Sequence, residues 1–276
     1  MARLMERIGA VLVAGLCWTT SFGPSPAGAE SGPCPPAPGE RVQVADVIDG
    51  DTLLLQDGRT LRLISALAPK PGAGDDTART ARLAEDARAA LEKAVAGQEL
   101  ALAFTGQRQD RHGRLLAHAF VDADPQRWLQ REMIDKGLAR AYALEDNYRC
   151  VSALAAREAV ARDAKRGLWS TGLGALGRAD RPELLARDIG RFAIVEGRVK
   201  TVGDRPRRTY LNFGTNWGQD FTVFVDRGDI ARFERAEIDL NGLEGRRVRV
   251  RGWIRNDRGP ALHMTNPEQL ELVDAR

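Results

Sequence analysis

Several residue types are scarce in this 276-residue chain, and each scarcity narrows what the chain can be. Lysine occurs only at Lys70, Lys93, Lys136, Lys165 and Lys200, so nearly all the positive charge is arginine. Arginine suits planar, two-pronged contacts to phosphate, but an Arg- and Ala-rich chain is equally what a biased base composition produces. The formal charge is only +3, so no large electrostatic footprint demands a nucleic-acid partner. Of three histidines, His118 and His263 have no Cys or His at ligand spacing, which argues against zinc. His112 falls in an exposed turn beside Arg111. Cysteine is confined to Cys17, Cys34 and Cys150. After the opening segment, no run is long and apolar enough to cross a membrane.

That opening segment has the layout of an export signal. Arg3 and Arg7 supply a basic start, residues 8–18 an apolar stretch, and Ala27-Gly28-Ala29 a small-residue cleavage site. The expectation is a signal peptide over residues 1–29 and a mature chain from about Glu30, periplasmic or extracellular, with no stable membrane association. Lipidation at Cys17 fits poorly because Leu16 precedes it; an uncleaved anchor is the other alternative. Export leaves Cys34 and Cys150, an even pair in an oxidising compartment, and favours a disulfide between them over two separated thiols.

Residues 30–40 form a Pro-rich lead-in, and a β-meander follows. Residues 42–48 predict a strand and Asp49-Gly50-Asp51-Thr52 a turn. Residues 52–56 return, and Asp57-Gly58 is a strong hairpin signal because both positions tolerate positive φ. Residues 60–64 make a third strand carrying one charge, Arg62, between Leu61 and Leu63. A loop over 71–76 precedes a helix over 77–96 with Ala84, Ala87, Leu91 and Val95 on one face. A strand over 99–104 comes next, and Gly113 turns the chain so that Arg114 opens a fifth strand. Asp124-Pro125 predicts the cap of a second helix containing Trp128, Leu129 and Met133, and a third helix covers 149–165.

These pieces match, in order, the motifs of the staphylococcal-nuclease (thermonuclease) family: a DGDT turn, a DG hairpin, an Arg-bearing strand, Asp110-x-x-Gly113-Arg114-Leu115-x-Ala117, Gly137-Leu138-Ala139-Arg140 and a closing Gly167-Leu168-Trp169. The resemblance spans about residues 40–169. It implies an α+β protein dominated by β-barrel, with a five-stranded OB-fold barrel and three helices in residues 41–169. A linker over 170–188 leads to residues 189–276, where strands over 193–199, 209–213, 221–225, 248–254 and 261–264, with a helix near 228–235, suggest a second small OB-like barrel. Trp128, Trp169, Trp217 and Trp253 are expected in cores, and the Arg-Val alternation of residues 246–251 on a solvated face.

The resemblance also implies a reaction, metal-dependent phosphodiester hydrolysis of nucleic acid, with Ca²⁺ as cofactor. It assigns Asp51 as a metal ligand and Arg62 and Arg114 as the arginines that clamp the phosphate, with Lys70 and Arg111 placed to bind substrate. It also shows two departures: Leu67 stands where a second ligand carboxylate belongs, and Lys70 where the general base belongs. Ca²⁺ affinity follows the count of ligand charges, and loss of a general base costs roughly 10²–10⁴-fold, so the hydrolysis is expected to be weakened or lost. Asp75, Asp76 or Glu85 could supply a carboxylate, or Lys70 could act as the base, held uncharged by its arginine neighbours. The alternative is a non-catalytic module that binds nucleic acid, another anion or a protein.

Overall fold

The computed structural model describes residues 34, 37–72, 77–121, 126–144, 146–216 and 218–273. The export segment, Cys17, Asp75, Asp76, the Asp124-Pro125 cap and Trp217 lie outside the described residues.

The first unit contains β1 (Glu40–Asp49), β2 (Thr52–Leu55), β3 (Thr60–Leu63), β4 (Ala66–Leu67), α1 (Thr77–Val95), β5 (Glu99–Ala103), β6 (Leu115–Val121), β7 (Arg127–Trp128), α2 (Leu129–Asp135), β8 (Arg140–Ala141) and α3 (Val151–Asp163). Hairpins join β1 to β2 and β2 to β3, β5 pairs with the far edge of β1, and β6 pairs with β5. β6 also runs parallel to β3, which closes the ring into a five-stranded mixed barrel. Alternation along the strands sends Leu53, Leu55, Leu61, Leu63, Leu100 and Leu102 inward, all buried. At the expected hairpin, Gly58 has a φ of 84°, a region open to glycine without a Cβ penalty.

The second helix begins four residues later than the sequence suggests. Trp128 belongs to β7, paired with Phe120 and stacked on its ring at 6.1 Å, with His118 edge-on at 5.3 Å. Burying three aromatic rings outweighs the helix-start signal of Asp124-Pro125.

The second unit contains β9 (Gly177–Arg178), α4 (Pro182–Leu185), β10 (Phe192–Arg198), β11 (Thr201–Asp204), β12 (Arg208–Asn212), β13 (Thr222–Asp226), α5 (Ile230–Arg235), β14 (Arg247–Asn256), β15 (Pro260–Met264) and β16 (Leu270–Leu272). Its strand order is β11-β12-β13-β15-β14-β10, with β13 parallel to β15 and β10 antiparallel to β14. Two residues separate β10 from β11, so together they act as one bent first strand. The connectivity is then that of the first barrel. The third and fifth strands are the parallel pair, and a helix lies between the third and fourth. The segment before β10 is built rather than free: β9 pairs with Val195 and Glu196, and Leu185 enters the core. The bent half of the first strand was not foreseen, because Thr201-Val202-Gly203-Asp204 is short and contains a glycine.

The barrels share an apolar seam. Leu67, Leu83, Ala161, Leu168 and Trp169 pack with Phe192 and Ile194 of β10. Beside it Glu158 of α3 and Arg251 of β14, both buried, pair at 2.9 Å. Each also holds the Ala141 backbone: its N–H donates to Glu158 Oε1 at 2.8 Å, and its carbonyl accepts from Arg251 at 3.0 Å. Residues 246–251 therefore depart from a solvated face, because α3 covers Arg251. Trp253 departs from the core expectation: it is exposed and meets Phe192 edge-on at 6.3 Å. Cys34 and Cys150 form a disulfide with Cα atoms 5.5 Å apart, fastening the lead-in to the start of α3.

Candidate active site at the first turn

The β1–β2 turn fixes the site, and Gly50 allows it to sit where it does. A Cβ at Gly50 would lie 2.6 Å from Ala87 Cβ of α1 and 2.7 Å from Ala68 Cβ. With no side chain there, the turn seats against α1 and Asp51 points into the protein, fully buried. The β2–β3 register pairs Thr52 with Arg62 and brings that arginine alongside. After β3, Ser65 takes a left-handed conformation (φ 62°) and swings the chain so that Ala68 and Lys70 return beside Asp51.

Asp51 is saturated with donors. Its Oδ1 accepts from the Arg62 guanidinium, from Lys70 Nζ at 2.6 Å and from the Thr52 hydroxyl at 3.1 Å. Its Oδ2 accepts the Ala68 N–H at 2.8 Å. Lys70 Nζ also lies 2.6 Å from Asp49 Oδ2, and Asp49 Oδ1 accepts the Asp51 N–H at 3.0 Å. One ammonium thus bridges two carboxylates, and with Arg62 the four formal charges cancel. Burial works to raise the Asp49 carboxyl, but hydrogen bonds with the Asp51 side chain, Lys70 and the Asp51 backbone hold it down at about 2. Burial raises Asp51 above the ordinary carboxylate value, with Arg62 and Lys70 pulling the other way and the Asp49 charge adding to the rise.

Asp49, read from sequence as a turn former, is therefore a full member of this cluster. The available signal was its place two residues before Asp51 in a tight hairpin, which sets both carboxylates at one end of the barrel.

The other candidates stand apart. Arg114 lies just before β6 rather than opening it: the strand starts at Leu115, the partner of Leu61, and Leu116 is the residue paired with Arg62. The Arg114 guanidinium is held by Asp110, with Nε and Nη2 both 2.7 Å from Oδ2. Burial tends to raise Asp110, yet the Arg114 side chain and the Arg114 and His112 N–H groups hold it below its usual value. Arg111 is exposed and donates to His112 Nε2 at 3.1 Å. Leu67 is buried in the seam between the barrels. Glu85 is exposed and engaged by Arg88 at 2.8 Å.

Asp51 is fully buried, and an ammonium already lies between the two carboxylates. Among the described residues no three His, Cys, Asp or Glu side chains gather as metal ligands. These residues do not fit Ca²⁺, a hard cation that takes six to eight oxygens.

A closed OB barrel with a carboxylate–arginine cluster on its first turn is consistent with the staphylococcal-nuclease fold. Residues 60–171 match the family described as Staphylococcal nuclease homologue, and the chain carries a domain of that family. Two relatives from Bacillus subtilis (strain 168) are similar. Endonuclease YncB is 31% identical over 126 residues, which make up 45% of this chain and 58% of the relative. SPbeta prophage-derived endonuclease YokF is 30% identical over 126 residues, 45% of this chain and 42% of the relative. The chain thus spans about half the length of these relatives.

Proposed function

We propose that this is an exported, nuclease-fold protein that engages nucleic acid through its arginines without a divalent cation, the hydrolysis of its family being weakened or lost. The observation that carries the reading is Lys70, whose ammonium lies 2.6 Å from both Asp49 and Asp51. Hydrolysis of a phosphodiester needs stabilisation of charge on the phosphoryl oxygens and an activated water. Lys70 and Arg62 supply fixed positive charge, but both are engaged with carboxylates; Asp49, its pKa held at about 2, is too weak a base to activate water, and Asp51 is fully buried away from it. Arg111, exposed and bound to no carboxylate among the described residues, remains for phosphate, with Arg114 nearby in its pair with Asp110. The disulfide supports export, since such bonds persist in oxidising compartments. The relatives' names support nucleic acid as the ligand class.

The test incubates the purified chain with single-stranded DNA, duplex DNA and RNA under Ca²⁺, Mg²⁺ or EDTA, beside Asp51→Ala and Arg62→Ala. The expected result is no metal-dependent cleavage, with salt-sensitive binding that persists in EDTA. Metal-dependent cleavage that disappears in both folded variants would overturn the proposal. It would establish a second reading favoured by the retention of Asp51, Arg62 and Arg114, an active nuclease with a replaced base.

A further inference from the structure

The second barrel repeats the connectivity of the first, so its matching corner can be compared directly. In the first barrel that corner is the β1–β2 turn and β3, where Asp51 meets Arg62. In the second it is the β11–β12 turn and β13, and the charges are reversed. Arg208 opens β12 and pairs with Asp226 of β13, Nε to Oδ1 at 2.7 Å. Its Nη1 reaches Asp257 at 3.1 Å, and its guanidinium carbon sits over the Phe224 ring, 4.1 Å from the centroid. Tyr210 is the cross-strand partner of Phe224, with ring centroids 6.4 Å apart.

These side chains floor a groove of about 470 Å³ on the outer face of β12 and β13, with Arg205 and Arg258 on its rim. Among the described residues, neither rim guanidinium has a hydrogen-bond or ion-pair partner. Arg258 also sits in a left-handed conformation (φ 60°), an uncommon state for a side chain other than glycine, asparagine or aspartate. Arg208 is neutralised by Asp226 and Asp257, so Arg205 and Arg258 carry the groove's unpaired positive charge.

We propose that this groove binds a segment of single-stranded nucleic acid. One base stacks on the exposed π-face of Tyr210 or on the Phe224-backed Arg208 guanidinium, and the neighbouring phosphates meet Arg205 and Arg258. Every base offers a π-face to aromatic and guanidinium planes, and the charge balance matches a polyanion. The proposal rests on the nucleic-acid reading above, and extends it from the first barrel to the second.

The test measures fluorescence anisotropy of a labelled oligothymidylate of about eight nucleotides, within the span of one OB barrel, on the full chain in EDTA. Tyr210→Ala weakens binding about tenfold at unchanged Tm, and an abasic strand of equal length binds similarly weakly. Arg258→Glu weakens binding and lowers the slope of log affinity against log salt by about one. If both variants bind as the parent does while Arg114→Glu loses binding, the groove is excluded and the first barrel alone holds the strand. If the parent chain binds no oligonucleotide, the groove proposal fails together with the reading beneath it.

Discussion

At the scale of single residues, the position of Lys70 decides what the site can hold. Its ammonium does what a cation between Asp49 and Asp51 would do, but it carries one charge and is covalently attached. Lys70→Glu removes that charge and sets a third carboxylate beside the other two. Without metal the variant is expected to lose about 1–2 kcal/mol, a value discounted for the partial exposure of Lys70. Adding about 10 mM Ca²⁺ is expected to raise its Tm, since a ligand binding only the native state stabilises by mass action. The parent chain should show no such shift, and a Ca²⁺-dependent rise in its Tm would refute the misfit argued above. His118 makes a separate prediction. Burial lowers its pKa to about 4, with the Arg149 backbone pulling weakly the other way. The unfolded chain takes up this proton near pH 6.5 and the folded chain only near 4, so stability is lost as pH falls between them. The loss from pH 7 to pH 4.5 amounts to about 2 kcal/mol. Thermal melts at the two pH values should differ more in the parent than in His118→Leu.

At the scale of elements, Leu67 shows how a position can change employment. Next to the chain's turn cluster, β4 presents this side chain to Leu83, Trp169, Phe192 and Ile194 rather than to an ion. Leu67→Asp, which would restore the family's carboxylate, is therefore expected to bury an unpaired charge and cost at least about 3 kcal/mol. Urea melts read this directly, and a variant of parental stability would show that Leu67 has no packing role. The same residue marks the limit of sequence reading. The strands of both barrels, β11 excepted, were legible because inward positions alternate, and the hairpin because Asp57-Gly58 admits positive φ. Asp51, Arg62 and Lys70 were legible as candidates through short motifs in a fixed order. Their mutual neutralisation was not, because it depends on the Ser65 turn carrying Lys70 back across 19 residues to Asp51. Nor could a local pattern disclose Trp128 in a strand or Arg251 under a helix, since each is set by a partner distant in sequence.

At the scale of the whole molecule, two barrels of one topology are joined by a seam that contains both oil and charge. Glu158 and Arg251 come from different units, are both buried, and hold the backbone N–H and carbonyl of one residue, Ala141. A buried pair of this kind adds little net stability over an apolar substitute, but breaking it strands a charge. Arg251→Met leaves Glu158 facing the seam with its Ala141 N–H bond and a weaker contact to Arg162 at 4.0 Å. The expected loss is about 3–5 kcal/mol. Glu158→Gln made together with Arg251→Met keeps an acceptor for the Ala141 N–H and removes the stranded charge, so the double variant should recover much of that loss. The coupling energy from this double-mutant cycle separates the two accounts of the seam. A large coupling means the barrels dock through the ion pair as one cooperative unit. Additive losses would mean that the apolar contacts of Leu67, Trp169, Phe192 and Ile194 hold them together alone.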